Sequence, residues 1–249
     1  MSSLSIIIPA YNEEARLGLT LEKIAEAWNR KQMRNLELKQ IIVANDGSTD
    51  RTKEIAESWT PRLPVEVAQL DRNRGKGAAV RAGVQRANAE LVLIYDADGA
   101  APILEVNKLC TELQKESADI AIGSRLGTAD SLVTMSLLRR LIGRVYHALC
   151  ASLVPNLKDT ACGCKLFKTE IAKKLFKLQR IDRFSFDVEI LAIALIKKYR
   201  IVEVPLSWTA IPESKVRLVR DGLQMFWCLI TLYIRKWTGC LSQEERSEQ

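Results

Sequence analysis

Residues 4–9, 40–44, 91–95 and 120–123 are short, largely apolar runs and 65–70 mixes apolar with polar residues, each separated from the next by a polar or amphipathic stretch. Continuous apolar runs of four to eight residues read as strands buried on both faces. Between the first two runs, residues 14–32 place Leu17, Leu21, Ile24, Ala25 and Trp28 on one side of a helix. Residues 52–59 and 77–87 read as further helices, the first of them behind Ser48, Thr49 and Asp50, which offer N-caps. Pro102 suits the first turn of another. Strand and helix in alternation predict an α/β fold, with a mostly parallel central sheet flanked by helices and a Rossmann-like first half.

The second half is less regular. Residues 134–153 read as a long amphipathic helix carrying Arg139, Arg140, Arg144 and His147. Residues 164–167 read as a strand, Thr169 as the start of a helix, and Ser185 as the cap of a helix over 187–198. A short strand over 201–204 stops at Pro205, and an amphipathic C-terminal helix fills about 219–237. The chain has 249 residues and no repeat, low-complexity tract or long linker. One domain is expected over 1–241, with halves 1–125 and 126–241 and a frayed tail at 242–249.

Composition bounds what such a domain does. A net charge of +7 suits an anionic partner: a nucleotide, a nucleic acid or a membrane surface. The basic residues are dispersed and no aromatic–basic motif is present, so nucleic acid is not expected as a partner. The N-terminus enters the first strand without the basic segment and apolar core of a secretory signal. No run reaches the ~18 apolar residues of a membrane-spanning helix. A cytoplasmic chain with reduced thiols is expected. Cys162 and Cys164 lack the further ligands that a zinc site usually needs. His147 is the only histidine, which leaves carboxylates, cations and a metal as the better carriers of chemistry.

Those groups gather at the strand ends. The first run ends in Pro9-Ala10-Tyr11-Asn12-Glu13, the second in Asn45-Asp46-Gly47, and the third is followed by Asn73-Arg74-Gly75-Lys76-Gly77. The fourth ends in Asp96-Ala97-Asp98-Gly99 and the fifth in Ser124-Arg125. In a parallel sheet these ends share one edge, where nucleotides bind. Gly75-Lys76-Gly77 fits neither a P-loop nor G-x-G-x-x-G: no Ser or Thr follows the lysine, and Val80 stands in place of the third glycine. Asp96 and Asp98, two apart on an extended chain, present both carboxylates to one side and suit Mg²⁺ or Mn²⁺. Capping of a tight turn is the alternative.

The motifs SIIIPAYNEE, VANDGSTD, RNRGKGAAVRAG, IYDADGA, AIGSR and DTACGCKLF, in that order, resemble the family-two inverting glycosyltransferases of GT-A fold. DADGA, DTACGCKLF, RFSFDVEIL and VEVPLSW with SKV resemble the dolichyl-phosphate glucosyltransferase branch in particular. The resemblance covers about residues 4–220. It implies transfer of glucose from UDP-glucose to a polyprenyl or dolichyl phosphate. It also implies that Pro9, Ala10, Tyr11 and Glu13 line the nucleoside and ribose, that Asp46 meets the base, and that Lys76 and Ala97 lie by the same pocket. Asp96 and Asp98 would be the D-x-D metal pair, with Asp98 the firmer ligand. Arg125 would face phosphate and Asp159 the acceptor side of the sugar, so that Asp98, Arg125 and Asp159 form the catalytic set. Ala161 and Cys164 stand where many members carry Gln and Phe.

A phosphate monoester acceptor, with a second pKa of about 6, is already ionised near neutrality and needs charge compensation more than a base. Arg125, Arg139, Arg144, Lys215 and Arg217 are the candidates to hold it; a solvated helix face is the alternative reading of the arginines. Residues 225–234 are apolar but cover only about half of the ~20 residues of a membrane span. Arg235, Lys236 and Trp237 follow them as at an interface. With the 134–153 helix this suggests a peripheral protein on the cytoplasmic face of a membrane; packing in the core is the alternative. Rival functions are a GDP-mannose-dependent transferase of the same family and an inactive nucleotide-sugar binding module.

Overall fold

The computed structural model describes residues 1–125, 149–209 and 218–242. Among them, β1 (Ser2–Ala10), β2 (Leu36–Asn45), β3 (Val65–Gln69), β4 (Leu91–Tyr95), β5 (Ile120–Ser124), β6 (Cys164–Lys168) and β7 (Ile201–Pro205) form one sheet. Its order is β3-β2-β1-β4-β6-β5-β7. β1 pairs in parallel with β2 and β4, β2 with β3, and β5 with β7. Of these strands only β6 runs antiparallel, between β4 and β5. Helices among the described residues include α1 (Leu17–Asn29), α2 (Thr52–Ser58), α3 (Lys76–Arg86), α4 (Val106–Lys115), α5 (Thr169–Leu178), α6 (Phe186–Ile196) and α7 (Leu218–Trp237).

Both faces of the sheet are covered at its centre, which is why β4 reads as an unbroken apolar run, while the edge strands β3 and β7 keep polar, partly exposed residues. Ile7, Ile42 and Ile94 point into one core with Val80 and Val84 of α3, Phe176 of α5, and Leu229 and Leu232 of α7. Ile6, Ile8, Ile41 and Leu93 point the other way, onto Leu21 and Ile24 of α1 and Leu109 of α4. Each such burial stabilises the fold by ~1.5–3 kcal/mol.

Several element ends differ from expectation for identifiable reasons. α1 begins at Leu17 and not at residue 14. The backbone N–H groups of Glu13 and Glu14 are taken instead by Thr52 Oγ1 at 2.8 Å and Asp50 Oδ2 at 3.1 Å. The residue before α2 is Arg51, which makes no side-chain cap; Asp50, one position further out, accepts the N–H of Thr52 at 3.0 Å. β2 begins at Leu36, upstream of the apolar run, because Leu36 is buried while Glu37 is exposed. Pro102 is extended and precedes a 3₁₀ turn, Ile103–Glu105, rather than sitting in the first turn of α4. Ser185 holds the residue before α6 but in the left-handed region, with φ 77, and its hydroxyl makes no capping bond. Of the helix expected over 134–153, residues 149–153 are described and are helical. Residues 243–249 of the expected tail lie outside the described residues.

Two features of this topology place the site. The strand order reverses between β1 and β4, and ligands of open α/β sheets bind at such a switch, beyond the carboxyl ends of the strands. The reversal of β6 pairs Cys164 with Tyr95. Residues leading into β6 therefore arrive at the same edge as the end of β4.

Candidate active site

Asp96, Ala97 and Asp98 follow β4 directly. The turn is tied down by Gly99 N–H on Asp96 O (3.1 Å), Tyr95 Oη on Ala101 O (2.6 Å) and Thr20 Oγ1 on Ala97 O (2.8 Å). Gly99 has φ 63, which a side chain would strain. Asp98 Oδ1 accepts the N–H of Ala100 at 3.0 Å, so the turn-capping role is real for one oxygen of this pair. Burial, and then the neighbouring charge of Asp96, push the Asp98 carboxyl above its ordinary range. Both carboxylates face a cleft with Tyr95, Ala100, Cys162, Gly163 and Trp208.

Lys76, the first residue of α3, answers that negative charge. Its Nζ lies 2.6 Å from Asp96 Oδ1. Burial works against the ammonium, but Asp96, then Asp187, outweigh it and hold the pKa above the ordinary lysine value. Gly75 ahead of it has φ 118. Asp46, at the end of β2, is 3% exposed and accepts the N–H groups of Arg74 and Gly75, both at 2.8 Å. Burial raises its carboxyl pKa, and the two N–H groups only partly offset this. Asp46 thus organises the loop that carries Lys76, a part that its place at the end of an apolar run did not reveal.

Across β6, Asp159 and Arg125 form the other half of the site. Arg125 Nε and Nη2 each donate to the Asp159 carboxylate at 2.7 Å, and Arg125 N–H adds a third bond at 2.9 Å. Burial alone would raise the Asp159 carboxyl; the hydrogen bonds and charge of Arg125 outweigh it and hold it below the ordinary value. The guanidinium also lies over the Trp208 ring, 5.7 Å from its centroid. Glu203 of β7 accepts the N–H groups of Lys158 and Asp159 at 2.8 and 2.9 Å, fixing the approach to Asp159.

Pro9 and Ala10 are buried at the end of β1, Ala97 is buried, and Tyr11 is exposed. Glu13 is gripped by Arg16 through bonds of 2.7 and 2.9 Å. Arg139, Arg144, Lys215 and Arg217 lie outside the described residues, as does His147.

Two buried charges have no role expected from the sequence, and a third, Arg235, is turned inward and not toward an interface. Lys165, 2% exposed, donates to Cys162 O and to Asp187 Oδ1, both at 2.5 Å. A lysine inside the strand CKLF is the signal that something must pair with it. Glu189 is fully buried within α6 and is paired with Arg235 of α7.

Residues 5–176 match the family described as Glycosyl transferase family 2. The chain belongs to that family. It is a glycosyltransferase. It is 34% identical over 246 residues to the dolichyl-phosphate beta-glucosyltransferase of Dictyostelium discoideum, covering 95% of this chain and 75% of that one. It is 35% identical over 253 residues to the dolichyl-phosphate beta-glucosyltransferase of Homo sapiens, covering 97% and 78%. In fold it is similar to glucosyl-3-phosphoglycerate synthase from Mycobacterium tuberculosis, crystallised with Mn²⁺, UDP and glucosyl-3-phosphoglycerate. The TM-score is 0.66 at 20% identity, with 94% of this chain and 80% of that one covered.

In this family 2 glycosyltransferase, the donor set at Asp96 and Asp98 can be tested against a metal. Among the described residues no group of three His, Cys, Asp or Glu side chains converges. Cys162 and Cys164 are no substitutes, since thiolates are soft ligands and Mg²⁺ or Mn²⁺ prefer oxygen. Two carboxylates in an open cleft nevertheless fit Mg²⁺ or Mn²⁺, hard cations usually held by one or two carboxylates with substrate phosphates and water completing the shell.

Proposed function

We propose that the chain transfers glucose from UDP-glucose, with inversion, to a dolichyl or polyprenyl phosphate, assisted by Mg²⁺ or Mn²⁺ at Asp96 and Asp98. The observation that carries the reading is the meeting of three groups at one sheet edge. These are the Asp96–Asp98 carboxylates, Lys76 at the start of α3, and the Arg125–Asp159 pair brought in by the reversal of β6. The dolichyl-phosphate names of the relatives support the acceptor class and the sugar.

A divalent cation, when bound, supplies charge stabilisation to the departing diphosphate. Asp46 fixes the loop that carries Lys76 and turns its face to the base. Lys76 keeps its proton and sets a positive charge beside the donor's anionic centre. Pro9, Ala10, Tyr11, Glu13 and Ala97 complete the nucleoside side. Asp159, kept ionised by Arg125, orients the sugar or the acceptor. No proton need leave a phosphate acceptor that is already anionic. Arg125, with Arg139, Arg144, Lys215 and Arg217, compensates the acceptor's charge.

No helix among the described residues is long and apolar enough to cross a membrane. Contact with a bilayer is proposed through α7, where Phe226, Trp227, Ile234 and Trp237 are exposed, and the matching location is peripheral, on the cytoplasmic face. One catalytic unit over 1–241 is the corresponding organisation. The test is transfer from UDP-glucose or GDP-mannose to a short polyprenyl phosphate, with Mg²⁺, Mn²⁺ or chelator. Lipid-linked glucose that disappears with chelator is expected. Turnover with GDP-mannose alone would reassign the donor, and binding of donors without turnover of any would make the chain a silent binding module.

A further inference from the structure

A carboxylate with no solvent exposure is costly unless it is paired, and Glu189 is 0% exposed. Its partners show what it holds. Glu189 accepts the N–H of Arg180 on both oxygens at 3.1 Å and the N–H of Ile181 at 2.8 Å. It also pairs with Arg235, in the last turn of α7. Residues 179–183, in the short connection between α5 and α6, are therefore strapped to the C-terminal helix through the Glu189 side chain.

The strap in turn presses on the loop that carries Lys76. Asp182 O accepts the N–H of Ala78 at 2.9 Å, one of the donors that the first turn of α3 leaves unsatisfied. The Asp182 carboxylate takes Arg81 at 2.6 Å and Arg74 at 3.1 Å. The fit leaves no room. A Cβ on Gly75 would lie 2.6 Å from Asp182 O, and one on Gly77 would lie 2.6 Å from Ile181 O. Asp46 grips the same loop from the other side through Arg74 and Gly75. Lys76 sits between the two clamps.

We infer that Glu189 and Arg235 are positioning residues for the donor side of the site: their ion pair makes the C-terminal helix hold the 179–183 strap against Gly75 and Gly77, and so fixes Lys76. The inference rests on the reading that Asp46 and Lys76 face the nucleotide-sugar donor.

Full-length Arg235→Met, Arg235→Lys and Glu189→Gln test it, each studied well below its own melting temperature. UDP affinity is measured by calorimetry with Mn²⁺. Amide hydrogen exchange at residues 74–78 is measured with no nucleotide. Arg235→Met and Glu189→Gln are expected to raise the Kd for UDP roughly tenfold, the low end of what a supporting residue contributes to a site. They are also expected to speed exchange at 74–78, and Arg235→Lys, which keeps a cation on Glu189, should restore most of both. A folded Arg235→Met with wild-type UDP affinity and unchanged exchange at 74–78 overturns the inference, even if its melting temperature falls. If Arg235→Met does not fold, the isosteric Glu189→Gln decides in the same way. Failure of the wild type to bind UDP would sink the functional reading instead; the exchange at 74–78 would then decide the strap by itself.

Discussion

Gly163 lies directly against the Asp96 carboxylate, with no space between them for a methyl group. The contact joins the turn before β6 to the end of β4, and the antiparallel course of β6 makes it possible. Asp96 cannot retreat freely, because Lys76 holds it at 2.6 Å. Gly163→Ala is therefore expected to displace the carboxylate and lower metal-dependent turnover by about 10–100-fold, the usual effect of disturbing the support of a metal site. Turnover by the purified, folded variant checks this. Wild-type activity would show that the glycine only relieves crowding.

Asp98→Asn separates the turn from the charge. An asparagine oxygen still accepts the N–H of Ala100, so the turn survives. The raised carboxyl pKa of Asp98 means that the fold disfavours its ionised form. Removing that charge should leave the melting temperature unchanged or slightly higher. Mn²⁺ affinity, read by calorimetry, should collapse, and turnover should fall beyond the ~100-fold that losing a mere supporting residue costs. Undiminished Mn²⁺ binding would move the metal away from this pair.

How much of this was readable depends on the range of the interactions. β1, β2, β4 and β5 and the polar residues at their ends were legible because burial on both faces writes central strands as largely apolar runs, whereas β3, at the sheet edge, mixes polar with apolar residues. The direction of β6 was not, since CKLF has the same pattern whichever way it pairs. That direction decides whether Asp159 and Gly163 reach the D-x-D turn. Asp46 was legible as a residue at the right edge, but its bonds to Arg74 and Gly75 depend on a loop 28 and 29 positions away. Glu189 stands in an otherwise apolar helix, which signals a partner without naming it. The partner, Arg235, lies 46 residues on, inside a stretch that reads as an interfacial anchor. The same arginine turns out to be 9% exposed and inward, while Trp237 beside it is 90% exposed.

The Asp159–Arg125 pair should leave a signature in acid. Arg125 holds the Asp159 carboxyl below its ordinary 3.8 against the opposing effect of burial. The folded value is thus below the unfolded one. The stabilisation is complete above the unfolded value and drains away as pH falls through the lower folded one. Asp159→Asn is expected to cost about 1–3 kcal/mol near neutral pH, the worth of a charged hydrogen bond, with Arg125's partial exposure favouring the lower end. The gap to wild type, from denaturant unfolding at a series of pH values, should begin to close below about pH 4 and go on closing through the lower folded value. A gap that stays constant into acid would mean that the variant loses shape and not charge.

The exposed face of α7 gives the last expectation. Trp227, Ile234 and Trp237 are 65%, 56% and 90% exposed, with Phe226 at 45% beside them. Large apolar groups on one side of an amphipathic helix are the pattern of a helix lying in a headgroup layer. Lys236, also exposed, flanks them. Each tryptophan that enters the interface gains up to ~1.5–3 kcal/mol from burial, and a basic residue near an anionic surface adds ~1 kcal/mol. Replacing Trp227 and Trp237 together with Ser should therefore abolish co-flotation with anionic liposomes. Exposed side chains away from packed contacts carry little of the fold's stability, so the melting temperature should barely move. Transfer to a water-soluble, short-chain polyprenyl phosphate should persist, while transfer to a long-chain acceptor in vesicles should fall. Salt should weaken flotation of the wild type by screening the basic contribution alone, leaving the apolar part. If the double variant floats like the wild type, α7 does not carry the membrane contact, and the basic segment 134–153 becomes the next place to look.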